Sequence, residues 1–189
     1  MSYKFILASG SPRRFDLLTA EGQNFIVKTA DVDETVSSDL SPEEVVKSLS
    51  LRKAKKVYSI YNKPTLGADT VVVFDNTVIG KPTTMEHAKR MLKGLSGNKH
   101  YVLTGIALIG DGYVVNECVK TDVYMNELSD EFINDYVESK KAMDKAGAYG
   151  MQDGGFVEKI EGSYTNVVGL PMERTKELLK EYGLWQEIE

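Results

Sequence analysis

Little in this chain could staple it, anchor it or hold a structural metal. Its 189 residues include one cysteine, one tryptophan, two histidines and five prolines. A lone thiol, Cys118, cannot close an intrachain disulfide, so a reducing compartment is the expected home. Cys118 lies in an apolar stretch and reads as a small buried hydrophobe. His87 and His100 lack metal-site spacing and read as structural. No apolar run approaches the ~20 residues of a membrane helix. The opening MSYKFILASG meets SPRR too early for a secretory signal's apolar core and cleavage site. The expected location is the cytoplasm, with no membrane partner. The net charge of −5 disfavours non-specific nucleic-acid binding, so no nucleic-acid partner is expected. The pattern G-x-x-x-x-G-K-[ST] is missing, which argues against a P-loop kinase or motor ATPase. Repeats, low-complexity tracts and Pro/Gly/Ser-rich linkers are also missing. Residues 1–189 are therefore expected to form one domain that buries its core without staples.

What is present alternates strand and helix patterns. Residues 4–8 (KFILA) read as a buried strand. Ser11 is placed to cap a helix with Pro12 at its first position, reaching Ala20 and stopped by Gly22. Residues 25–29 form a second strand, and the capping box Ser41-Pro42-Glu43-Glu44 opens a helix to Tyr61. Residues 66–74 hold the apolar run TVVVF, and Asp75-Asn76 turns it back into Val78-Ile79. Thr83 with Glu86 predicts another capping box, with its helix ending at Leu95 before Gly97. Residues 101–109 and 113–124 are two long strands joined through Gly110-Asp111-Gly112. Ser129 caps a helix to Ser139, residues 156–160 are a short strand, and Pro171 opens a last helix that ends near Gly183. Early alternation followed by a hairpin predicts an α/β (α+β) fold with a mixed sheet.

The residues that carry chemistry begin at Ser9-Gly10-Ser11-Pro12-Arg13-Arg14, where a buried strand enters a helix. Free N–H groups and the helix dipole favour an anion there. Two arginines in a first turn are electrostatically misplaced unless an anion such as phosphate joins them. The alternative is a polar helix start with solvated arginines. Gly67-Ala68-Asp69-Thr70 puts an acidic group beside an apolar strand, and Glu34 is its first candidate partner. Two such carboxylates suit a hard divalent cation. Alternatively, Asp69 caps a turn and Glu34 sits on a solvated loop. Lys53, in a helix, and Lys81, in Gly80-Lys81-Pro82, are each either a phosphate contact or a surface lysine. The stretch DKAGAYGMQ (residues 144–152) carries too little side chain for a core element. It suits a loop that a ligand approaches closely, with Gln152 able to read a base edge, or else a flexible surface loop. GSYTNVVGLP (residues 162–171) either walls a nucleotide pocket or is a structural turn.

Taken in order, LASGSPRR, GADTVV, GKP, MLKGLSGNKHYV, DKAGAYGMQ and GSYTNVVGLP resemble the Maf family of nucleotide pyrophosphatases, also described as septum formation inhibitors. The resemblance implies an elongated α/β fold with a long mixed sheet flanked by helices, two lobes and a central cleft. That architecture is distantly similar to the inosine triphosphate pyrophosphatases. It implies hydrolysis of a nucleoside triphosphate between the α- and β-phosphates, with Mg2+, Mn2+ or a similar divalent cation. The DKAGAYGMQ branch is similar to the dTTP/UTP pyrophosphatases, whereas the branch acting on methylated GTP lacks this glutamine. By position, Asp69 matches the family's proton acceptor, and Arg13, Thr70 and Gln152 match positions tied to substrate choice. Ser9, Arg14, Glu34, Lys53 and Lys81 match the polar lining of the cleft. Asp69 with Glu34 is then the expected metal pair. A nucleotide-binding regulator of septum formation without catalysis is the alternative. The sequence leaves both a monomer and a homodimer open.

Overall fold

The apolar run FILA forms strand β1 (Phe5–Ala8), which is buried at every position as expected for a strand with neighbours on both edges. The structure is a computed structural model and describes residues 3–187. β1 pairs in parallel with β2 (Phe25–Val27) and with β3 (Thr65–Phe74), in the registers Phe5↔Phe25 and Ala8↔Gly67. Parallel neighbours need crossovers. Helix α1 (Pro12–Ala20) connects β1 to β2, and α2 (Pro42–Tyr61) connects β2 to β3. Seven strands form one mixed sheet in the order β2-β1-β3-β5-β6-β7, with β4 (Thr77–Ile79) paired antiparallel to β3. The remaining strands are β5 (Lys99–Gly110), β6 (Tyr113–Met125) and β7 (Val157–Glu161).

By internal contacts the chain resolves into two compact units. The first takes residues up to Thr70, then Thr104–Val119, then Gly169 onward. Its core gathers Phe5, Leu18, Leu66, Ile106, Leu179 and Trp185, the last two supplied around helix α6 (Met172–Glu181). Helix α2 is fixed at its start by a complete capping box between Ser41 and Glu44, and at its end by Asn62 in the left-handed conformation. Two strand glycines let this helix lie directly on the sheet. A β-carbon at Gly67 would stand 2.4 Å from the Ser50 carbonyl oxygen, and one at Gly105 would stand 2.2 Å from that of Val46. Any side chain there would push α2 away.

The second unit comprises Val71–Leu103 and Lys120–Val168. It holds α3 (Met85–Leu95), α4 (Asp130–Glu138) and α5 (Tyr164–Val168), and packs Leu92, Leu95, Ile133, Val137, Tyr149 and Phe156. The β3–β4 hairpin turns on Asp75 and Asn76, both at positive φ, as a two-residue turn of the primed type needs.

Several local expectations change. The cap of α3 is Thr84, whose hydroxyl accepts from His87 N at 3.0 Å. Thr83 is not part of a capping box with Glu86; it bonds the His87 ring instead. Ser11 occupies the cap position of α1 but makes no side-chain capping bond. The small residues of 144–152 are not an open loop. They form two short 3-10 turns, Ala146–Ala148 and Met151–Asp153, with Gly147, Ala148, Tyr149 and Gly150 buried. Gly147 donates to the Gly80 carbonyl and lies against Val72. Cys118 is only half-buried, and desolvation pushes its thiol up to about 11.

Candidate functional site

The first unit brings together the residues of three segments. Where β1 ends, Ser9 turns the chain into α1, and Arg14 lies in the first turn of that helix. The Arg14 guanidinium is buried and forks onto three neutral oxygens. Nε–H donates to the Gly169 carbonyl at 2.8 Å, Nη1 to Ser9 Oγ at 2.9 Å and Nη2 to Thr70 Oγ1 at 3.0 Å. Thr70 Oγ1 also lies 2.9 Å from Thr104 Oγ1. Burial lowers the arginine's pKa to about 10; the charges of Asp69 and Glu34 oppose that shift and Arg13 adds to it. Arg14 thus feels the charges of Asp69, Glu34 and Arg13 together. Arg14 is the frame of this group, because its donors tie the end of β1 to β3 and to the Gly169 turn.

The second group forms where α2 crosses β3. Gly67 and Ala68 keep that stretch of strand slim, and Asp69 follows them, nearly buried. Lys53 Nζ reaches Asp69 Oδ1 at 2.6 Å and Glu34 Oε1 at 2.9 Å. The Asp69 side chain is 12% exposed and that of Glu34 62%. One carboxylate is therefore built into the sheet and the other comes from the loop between β2 and α2. Both converge on one cation position, filled by an ammonium. Beside them is a cavity of about 430 Å³ lined by Ser9, Gly10, Thr29, Asp31, Glu34 and Lys53 among others. Its charged lining is Asp31 and Glu34 against Lys53.

The candidate residues therefore divide. Ser9, Arg13, Arg14, Glu34, Lys53, Asp69 and Thr70 all belong to the first unit, whereas Lys81 and Gln152 are exposed residues of the second. Gln152 stands on the Met151–Asp153 turn. Tyr136 donates to Asp153 Oδ2 of that turn at 2.6 Å. One first-unit residue, Thr104, escapes notice in the sequence, and Gly169 is read there only as part of the 162–171 stretch. Thr104 is fully buried and polar within an apolar strand, and Gly169 sits at φ +131 with its carbonyl on Arg14. A lone threonine in the run TGIALI and a glycine before Leu-Pro were the available signals.

Two carboxylates that share one cation position fit a hard divalent ion such as Mg2+, which is commonly held by one or two carboxylates plus substrate phosphates. Among the described residues there is no group of three or more His, Cys, Asp or Glu arranged for a metal. A metal here would draw its remaining ligands from substrate and solvent.

Comparison with known proteins gives a consistent picture. Residues 4–182 match the family described as Maf-like protein. A dTTP/UTP pyrophosphatase from Acetivibrio thermocellus is 48% identical over 193 aligned positions, covering 96% of each chain. Another, from a Geobacillus species, is 45% identical over 183, covering 95% of this chain and 98% of that protein. A HAM1 protein from Coxiella burnetii shares the fold at 16% identity, with a TM-score of 0.54 over 95% of this chain and all of the other.

Proposed function

The chain belongs to the Maf-like family, and from that premise we propose that it hydrolyses dTTP and UTP to the nucleoside monophosphate and pyrophosphate. The relatives' names supply the substrates. The observation that carries the chemistry is the convergence of Asp69 and Glu34 on Lys53, in one unit with Arg13 and Arg14. Charge counting supports a divalent cofactor. Arg13, Arg14 and Lys53 set against Asp69 and Glu34 leave one net positive charge, too little for a triphosphate. Asp69 and Glu34 would hold the ion, Mg2+ or Mn2+. When bound, it supplies positive charge to the phosphate oxygens and acidifies water.

The chain's own residues do the rest. Arg13 and Lys53 meet the phosphates, and Ser9, Thr70 and Arg14 set the shape of the surface they rest on. Asp69 accepts the proton of the attacking water at a carboxylate oxygen. The water oxygen bonds to the α-phosphorus as the bond from that phosphorus to the bridging oxygen breaks, and pyrophosphate leaves with the bonding electron pair. Lys53 is positioned to offset the charge that gathers on it. By the family positions they match, Lys81 and Gln152 are proposed as substrate-binding residues, with Gln152 reading the base through its amide. The single thiol favours a reducing cytoplasm as the setting, and no helix among the described residues is long and apolar enough to cross a membrane. A homodimer is compatible with this reading and not required by it.

The test is direct. The protein is incubated with a panel of nucleoside triphosphates and Mg2+ or Mn2+, and both pyrophosphate and orthophosphate are measured. Pyrophosphate release led by dTTP and UTP is the expected result. Orthophosphate release, or nucleotide binding without turnover as a pure regulator would show, refutes the reading.

A further inference from the structure

Glu34 is the exposed member of the acidic pair, and the chain around it has no regular structure. The connection from β2 to α2 runs through residues 28–41, with Asp31, Asp33, Glu34 and Thr35 exposed. A loop of that length is free to sample many conformations, and each residue fixed costs entropy. A carboxylate on such a loop would spend little of its time beside Asp69 unless something tied the backbone down.

Arg52 does so. It is the neighbour of Lys53 on α2, and successive helical residues point in different directions. Lys53 reaches Asp69, while Arg52 reaches the loop. Its Nη1 donates to the Asp33 carbonyl at 3.0 Å and to the Thr35 carbonyl at 2.7 Å. Those two carbonyls flank Glu34. Asp33 Oδ1 accepts from Thr35 N at 2.8 Å and closes a tight turn over the same residue. The guanidinium therefore fixes the 33–34 and 35–36 peptide units, the Asp33 side chain holds the 34–35 unit between them, and the turn aims the Glu34 side chain at Lys53 and Asp69.

We infer that Arg52 is a positioning residue that preorganises Glu34 for the divalent cation it shares with Asp69. This rests on the proposed role of Glu34 as a metal ligand. Arg52 itself touches neither ion nor nucleotide. A preorganised ligand binds more tightly because the ordering is done before binding. Losing Arg52 therefore weakens metal binding and leaves chemistry at saturating metal intact.

The experiment compares the full-length wild type with Arg52→Ala, Arg52→Lys, Glu34→Gln and the Arg52→Ala/Glu34→Gln double variant. The first readout is the Mn2+ concentration that half-saturates pyrophosphate release, with kcat at saturating Mn2+. The second is amide hydrogen exchange at Thr35 on the metal-free protein. Arg52→Ala is expected to raise the half-saturating concentration by about tenfold, the size that two lost hydrogen bonds allow, with kcat within about twofold. Arg52→Lys, which keeps the charge and some donors, should fall between the two, and it replaces the alanine variant if that one unfolds. Thr35 exchange should speed up while α2 stays protected. In the Glu34→Gln background, Arg52→Ala should add nothing further, because coupled residues are not additive. If Glu34→Gln alone leaves the metal requirement unchanged, the reading of Glu34 and this inference fall together. If Glu34→Gln shifts it and Arg52→Ala does not, or if the two effects simply add, only the inference falls.

Discussion

Replacing Asp69 with asparagine removes one charge and one proton acceptor while keeping the shape of the side chain. Asp69 Oδ1 is 2.6 Å from Lys53 Nζ and the pair is largely shielded, at 12% and 18% side-chain exposure. Breaking a fully buried ion pair by removing one partner costs about 3–5 kcal/mol. Here Lys53 keeps Glu34 at 2.9 Å and some access to water, and the asparagine amide oxygen still accepts a hydrogen bond. The stability loss is then about 1–2 kcal/mol, a fall in Tm of about 2–8 °C for a domain of this size. The catalytic loss is far larger, because a positioned base contributes about 10²–10⁴-fold and the same carboxylate would help hold the ion. Pyrophosphate release from saturating dTTP with Mg2+ should drop by about 10³-fold, while thermal unfolding shows a folded protein. A folded Asp69→Asn enzyme with kcat within about threefold of wild type would remove Asp69 from the mechanism, since no base of that strength is dispensable.

Three further outcomes are expected. Gly67→Ala places a β-carbon 2.4 Å from the Ser50 carbonyl, so α2 must shift and carry Lys53 off Asp69; Tm should fall with a cost of about 1–3 kcal/mol, and kcat should fall with it, both measurable on one preparation. Gln152→Ala should leave Tm unchanged and lower kcat/KM for dTTP and UTP relative to purine triphosphates by about 10-fold or more, as when a base edge loses its amide partner; equal losses on every substrate would count against base reading. His100 is buried with Nε2 on the Tyr149 hydroxyl at 2.7 Å, and desolvation lowers its pKa from 6.5 to about 4. The unfolded chain therefore binds this proton first, so stability is full above pH 6.5 and is lost as pH falls towards 4. The loss totals about 3 kcal/mol, and urea unfolding of His100→Gln across that range should lack this acid limb.

Much of the first unit was legible in the sequence because its signals are local. The Ser41–Glu44 box and the proline after Ser41 set the start of α2, and FILA had no polar residue to place it anywhere but in the core. The strand-to-helix corner at Ser9–Arg14 and the Gly67–Thr70 segment were visible for the same reason. What sequence could not carry was pairing at long range. Arg14 reads as a phosphate ligand, yet three of its donors are taken by Ser9, Thr70 and Gly169, partners spread along the whole chain. The glycines and alanines of 144–152 imitate a loop, but their size is what lets the backbone pack on Val72 and Gly80. At 83–84 two adjacent threonines offer equivalent caps, and the side-chain bond from Thr83 to the His87 ring leaves the capping to Thr84.

The Arg14–Gly169 hydrogen bond joins positions 155 residues apart, and the unit that contains it is assembled from three separate stretches of chain. During synthesis, Ser9, Glu34, Lys53, Asp69 and Thr70 all leave the ribosome long before Gly169. Until that last stretch arrives, the guanidinium lacks one of its acceptors and the N-terminal core lacks the layer supplied by α6. Such topology folds slowly and exposes unfinished apolar surface on the way. A nascent chain halted before residue 169 should therefore carry every acidic and basic group of the proposed centre and still be unable to hold them in place.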